Sequence, residues 1–213
     1  MAYSVVLDAC VLYPASLRDT LLRFAHAEFY DVLWSARILD EAERNLIAHG
    51  RVSAEGAHRL RSKLAESFDG ACVGAVEIAG LESAMTNDPK DRHVLAAAVA
   101  SQAQAVITMN LMDFPEAASA PYGVEILHPD EFLTVLCGLD PQLAVDIVTE
   151  QAGALQKPPL TVHGLLDRLS LTVPTFAAAI RSHLPERTIR SWTTVYTRST
   201  VALGGQLRSA RHA

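Results

Sequence analysis

The sequence has no CxxC pair, no histidine cluster at metal spacing, and no apolar run of the ~18–20 residues that span a bilayer. Its three cysteines, Cys10, Cys72 and Cys137, are odd in number and scattered. A full disulfide framework is therefore excluded, and buried thiols in a reducing compartment are expected. The N-terminus, Met1-Ala2-Tyr3-Ser4, has neither a basic stretch nor a long apolar one, which argues against a secretory signal. The expectation is a cytoplasmic protein with no membrane segment. Eleven Gly and ten Pro in 213 residues are too few for a low-complexity chain. No Gly-rich phosphate loop follows the first apolar segment and no G-x-S-x-G occurs, so nucleotide-binding and serine-hydrolase readings lose support.

What is present is a core-forming composition. Half of the residues are hydrophobic, a fifth are charged, and mean hydropathy is +0.17. Aromatics are only 6% and alanine is frequent, so helices are expected to pack closely through small side chains. Charge is unevenly spread. Residues 180–213 hold six arginines and one acid, a net +5, which leaves −11 on the rest of a chain whose total is −6. The tail is either a solvated segment or a patch for phosphate or an acidic partner.

Periodicity predicts strands at Ser4–Leu7, Val32–Trp34, Cys72–Ile78, Ala105–Met109 and Val124–Leu127. Helices are predicted over 16–29, 36–49, 53–68, from the Asp88-Pro89 start signal through 103, and over 129–136. Strands alternating with helices imply an α/β fold with a parallel sheet covered on both faces. After residue 138 the pattern turns helical, over 141–155, 160–170 and 173–184, with one further strand candidate near Val195. The division is thus 1–138 for an α/β domain and 139–213 for a helical extension with a basic tail.

In an open α/β sheet, ligands collect beyond the carboxyl ends of the strands. Asp8 follows the first strand, and Asn110 and Asp113 follow the fourth. Asp91 lies at the start of the Ala-rich helix, and Glu41 lies in the helix after the second strand. Carboxylates brought within ~4–6 Å raise each other's pKa, and a hard divalent cation relieves them. Each acid also has an ordinary reading, as cap, turn or solvated helix face.

The segments around these acids resemble a known family. Val5-Val6-Leu7-Asp8-Ala9-Cys10-Val11-Leu12, Ser35-Ala36-Arg37-Ile38-Leu39-Asp40-Glu41, Asp88-Pro89-Lys90-Asp91-Arg92-His93-Val94-Leu95 and Thr108-Met109-Asn110-Leu111-Met112-Asp113-Phe114 resemble, in order, the four motifs of PIN-domain ribonucleases. The resemblance covers about residues 3–128. It implies an α/β/α sandwich and RNA cleavage dependent on Mg2+ or Mn2+. It also implies a VapC-type toxin with a cognate antitoxin, often as a homodimer. Residues 139–213 resemble the extension of a longer PIN subgroup.

On that resemblance the catalytic set is Asp8, Glu41, Asp91 and Asp113, with Asp8, Asp91 and Asp113 holding the metal directly or through water. Thr108 and Asn110 orient the carboxylates, and Glu41 completes the shell or acts as base. Arg92 touches substrate phosphate or faces solvent, and His93 is a weaker candidate for general acid. Arg18, Arg23, Arg37 and Arg92 outline a path for RNA, with the tail supplying further charge. The sequence departs from the family at Cys10, where asparagine is common. Cys10 is expected to be a small buried side chain rather than a nucleophile. The alternative is a catalytically silent PIN fold that binds RNA or protein.

Overall fold

The computed structural model describes residues 3–156 and 158–185. Five parallel strands form its sheet: β1 (Ser4–Leu7), β2 (Asp31–Ser35), β3 (Cys72–Val73), β4 (Ala105–Ile107) and β5 (Glu125–Leu127), in the order β3-β2-β1-β4-β5. The helices are α1 (Ala9–Leu12), α2 (Ala15–His26), α3 (Ala36–Ala48), α4 (Ala54–Ser67), α5 (Ala75–Glu82), α6 (Arg92–Ser101), α7 (Glu116–Ser119), α8 (Pro129–Leu139), α9 (Pro141–Ala154), α10 (Val162–Leu169) and α11 (Pro174–His183).

Strand β1 lies at the centre, and its Val5, Val6 and Leu7 are completely buried. A run of apolar side chains on both faces fits only a strand covered on both sides. The chain leaves β1 toward β2 on one side and reaches β4 on the other. The β1/β4 pair is therefore the switch point, the natural mouth of such a sheet. Register pairs Leu7 with Ile107, so Asp8 and Thr108 emerge side by side.

Local chemistry explains the helix starts. Ser35 ends β2 and its hydroxyl accepts from the Ile38 amide at 3.1 Å, capping α3. Ser53 caps α4 in the same way through Gly56. Helix α6 begins later than the Asp88-Pro89 signal suggested. The Asp88 carboxylate takes the Lys90 amide at 2.9 Å, and its carbonyl takes the Asp91 amide. The segment therefore turns before the helix starts at Arg92. The strand expected over 72–78 stops at Val73, and Gly74 opens α5 instead. Val76 is exposed and Ile78 buried, the opposite faces that a spacing of two gives on a helix. The short α1 was not anticipated. Cys72 is exposed, contrary to the expectation of buried thiols, whereas Cys137 is buried.

Over its described residues the extension is helical as expected, and the 138/139 division falls within the last turn of α8. Helices α8 and α9 are apolar as a pair but bend by 119° at their junction. Among the described residues no single helix is long and apolar enough to cross a membrane. Asp130 ties α8 to α11: its two carboxylate oxygens take the amides of Thr175 and Phe176 at 3.1 and 2.8 Å. Gln151 of α9 reaches α2, accepting from the Thr20 hydroxyl at 2.8 Å and donating to the Ser16 carbonyl at 3.0 Å. The strand candidate at Val195 and all but Arg181 of the basic tail's arginines lie outside the described residues.

Gln151 is completely buried, so its amide has no water to fall back on. Gln151→Ala should lower unfolding free energy by about 1–3 kcal/mol, the range for leaving buried polar partners unsatisfied. Urea denaturation checks this. A loss within experimental error would mean that α9 packs on α2 through apolar contacts alone.

Candidate metal centre

Asp8 follows β1 and precedes α1. It is 3% exposed, and its side chain makes no capping bond. Instead Oδ2 receives the Thr108 hydroxyl at 2.7 Å and the Cys10 thiol at 3.1 Å. Thr108 Oγ1 accepts the Asn110 amide at 3.0 Å, and Cys10 Sγ accepts the Met109 amide at 3.2 Å. Thr108 is thus placed as expected, while Asn110 contributes its backbone amide and leaves its side chain exposed. The direct bond from Cys10 was not legible in the sequence. Burial and the Asp8 charge push the Cys10 thiol up to about 12, so it carries its proton and is no nucleophile at neutral pH.

Glu41 stands among three candidate acids on α3, and packing separates them. Arg61 of α4 pairs with Asp40 at 2.5 Å and Glu43 at 3.4 Å. Positions 40 and 43 share a helix face, and Glu41 is left pointing elsewhere. Its Oε2 lies 3.7 Å from His93 Nε2. Burial and the Asp8 charge raise the Glu41 carboxyl, while Arg44 and Arg37 oppose the rise.

Asp91 occupies the position before α6, yet its side chain makes no cap bond. The carboxylate sits at the positive end of a ten-residue helix. Burial, then the charges of Asp8, Asp113, Glu41 and Asp88, nevertheless push it up to about 7. Its strongest carboxylate neighbours are thus the acids picked from the sequence. Asp113 ends a short 3-10 turn over Leu111–Asp113. A backbone bond of 3.0 Å from the Asp88 amide to the Asp113 carbonyl joins the two loops.

His93 is buried, and burial together with the Arg37 charge lowers it to about 4. It is neutral at pH 7, so it forms no true ion pair with Glu41, and the general-acid reading fails. Arg92 Nε donates to the Asn87 carbonyl at 3.4 Å. Among the arginines expected to line an RNA path, Arg18 binds the Leu12 carbonyl, Arg23 pairs with Asp19 and Glu150, and Arg37 pairs with Glu82. These groups serve the framework. A cavity of about 680 Å³ opens beside the turn, sharing Leu111 with it, but none of the four acids lines it.

No three His, Cys, Asp or Glu side chains among the described residues stand close enough together to hold an ion as they are. The donor set is nonetheless all hard oxygen, and Asp91 bears the mark of uncompensated negative charge. Mg2+ takes only one or two carboxylates and keeps its waters, so such a set suits it. Soft thiolate ligation is disfavoured by the protonated Cys10.

The repulsion has a measurable consequence. Asp91 holds its proton to about 7 in the folded state, against an ordinary value of 3.8. As pH rises between those values the unfolded chain releases the proton first, so the folded state loses stability until pH passes 7. In EDTA, the thermal midpoint of Asp91→Asn should gain on that of the native chain between about pH 5 and about pH 8. Midpoints that run parallel across this window would remove the coupling.

Comparison with known proteins bears on the fold and its extension. The PIN-domain family model matches residues 4–112, and the model described as VapC50 C-terminal domain matches residues 129–182. A curated protein of Mycobacterium tuberculosis (strain ATCC 25618 / H37Rv), "Putative ribonuclease VapC50", is 44% identical over 105 residues, covering 49% of this chain and 62% of the relative. The chain thus spans less than two thirds of that relative's length. The PIN-domain model matches half of the chain and the sheet is parallel throughout, so the chain belongs to the PIN-domain family, with a helical extension similar to the VapC50 C-terminal domain.

Proposed function

We propose that the protein is a Mg2+- or Mn2+-dependent endoribonuclease and the toxin of a toxin–antitoxin pair. The observation that carries this reading is the electrostatic coupling of Asp91 to Asp8, Asp113 and Glu41, acids drawn from separate segments of the chain. A fold gathers like charges at a cost, and a bound dication repays that cost. The relative's name, "Putative ribonuclease VapC50", supports RNA as substrate, and its VapC designation supports an antitoxin as partner.

Asp8, Asp91 and Asp113 would hold the ion, directly or through water. When bound, the ion supplies positive charge beside the scissile phosphate and makes water a better nucleophile there. Asp8 is pre-oriented by the two donors on its Oδ2. Glu41 is raised by burial and by Asp8, which makes it a stronger base than an ordinary glutamate, and it takes a proton from the attacking water. The water oxygen bonds to phosphorus as the bond to the 3′ oxygen breaks, and that oxygen takes a proton from solvent, leaving a 5′-phosphate and a 3′-hydroxyl. Thr108 holds Asp8, and the Asn110 amide holds Thr108. Arg92, anchored through Nε on the Asn87 carbonyl, keeps other guanidinium N–H groups to offer a phosphate oxygen.

Cleavage of a mixed RNA pool with Mg2+, with Mn2+ and with EDTA tests the reading. Asp8→Asn and Asp91→Asn, each verified as folded, should lose at least about 100-fold in rate, as when a charge-stabilising group is removed from a site. Cutting by the native chain that persists in EDTA, or no cutting with either ion, would sink the nuclease reading in favour of a silent binding module. Growth arrest on induction, absent for Asp8→Asn, is the expected sign of the toxin.

A further inference from the structure

Two threads of two hydrogen bonds each end on one oxygen of Asp8. In the first, the Asn110 amide donates to Thr108 Oγ1 at 3.0 Å and the hydroxyl donates to Asp8 Oδ2 at 2.7 Å. In the second, the Met109 amide donates to Cys10 Sγ at 3.2 Å and the thiol donates to the same Oδ2 at 3.1 Å. The proton directions are forced. A backbone amide only donates and an ionised carboxylate only accepts, so both the hydroxyl and the thiol must pass their single proton to Asp8. The 3.4 Å approach of Sγ to Oγ1 is then a contact between two groups whose protons are already committed.

The two threads do different things. Thr108 lies in register beside Asp8 and fixes its distance from β4. Cys10 lies on α1, the helix that starts immediately after Asp8, and reaches the carboxylate from its own chain. The terminal torsion of an aspartate is soft and nearly two-fold, so a single donor leaves the carboxylate free to swing about that bond. Two donors on Oδ2 from different elements remove the swing. Oδ1 takes no bond from the described residues. The second thread also ends on the Met109 amide, two residues before the 3-10 turn that carries Asp113.

We infer that Cys10 is a positioning residue of the carboxylate site: by bridging Asp8 Oδ2 and the Met109 amide, it sets which Asp8 oxygen faces the ion and ties Asp8 to the segment that leads into the turn of Asp113. The inference rests on the metal-dependent reading above, and it concerns geometry only.

Mn2+ binding to the full chain, measured by isothermal titration calorimetry, tests it with Cys10→Ala and Cys10→Ser beside the native chain. Thermal unfolding in EDTA accompanies each titration. Cys10→Ala should bind Mn2+ about 10- to 100-fold more weakly, the usual cost of losing a residue that orients a ligand. Its metal-free midpoint should stay within about 2–4 °C of the native value. Cys10→Ser keeps one donor and one acceptor and should recover most of the affinity. Native Mn2+ affinity in Cys10→Ala overturns the inference and leaves the nuclease reading standing. Equal losses in Ala and Ser also overturn it, because packing rather than hydrogen bonding would then be responsible. A native chain that binds no Mn2+ overturns the metal reading itself and the inference with it.

Discussion

Mutual repulsion among carboxylates is the constraint around which this molecule is arranged. Asp8, Glu41, Asp91 and Asp113 come from separate segments, and the other three each raise the cost of ionising Asp91. A chain left to itself would turn these acids outward into water. Here the Leu7–Ile107 register fixes Asp8 beside Thr108, and the Asp88–Asp113 backbone bond fixes the loop of Asp91 against that of Asp113. Arg37 and Arg44 offset part of the charge at Glu41. The buried sheet supplies the rigidity that makes such a concentration of charge sustainable.

The basic residues show the complementary economy. Arg61 takes Asp40 and Glu43, Arg37 takes Glu82, and Arg181 takes Asp167. Exposed pairs of this kind are worth about 0–1 kcal/mol each, so their value lies in sorting rather than in stability. By engaging the neighbours of Glu41 on α3, Arg61 leaves one acid of three to face His93 and Asp8. Specificity at the site is thus decided in part by an arginine on another helix.

The sheet was legible in the sequence because its central strand is buried on both faces and reads as an uninterrupted apolar run. The site acids were legible through their resemblance to family motifs, since their spacing alone left ordinary cap and turn readings open. The structure decides against those readings at Asp8 and Asp91, whose side chains make no cap bond. What stayed hidden depended on direction rather than residue type. Val76 and Ile78 looked like one face of a strand until Gly74 opened a helix and sent them to opposite sides. The sequence pointed to small buried cysteine at position 10, but its proximity to Asp8 and Met109 arises only when β1, α1 and β4 meet. The arginines looked available for RNA because nothing in the sequence reveals that Glu82 or Glu150 will lie across from them.

The bond between Thr20 and Gln151 joins residues 131 positions apart. It spans most of the described chain, so helix α2 cannot complete its buried polar partnership until α9 has been made. During synthesis α2 therefore waits with an open face while the four remaining strands, β2 to β5, are added. Such distant pairing carries a large loop-closure entropy and places final consolidation late. The four candidate acids all lie before residue 114, so this arrangement makes the helical extension a partner in folding order. The acids are translated early, but the body that holds them settles only once α9 has arrived.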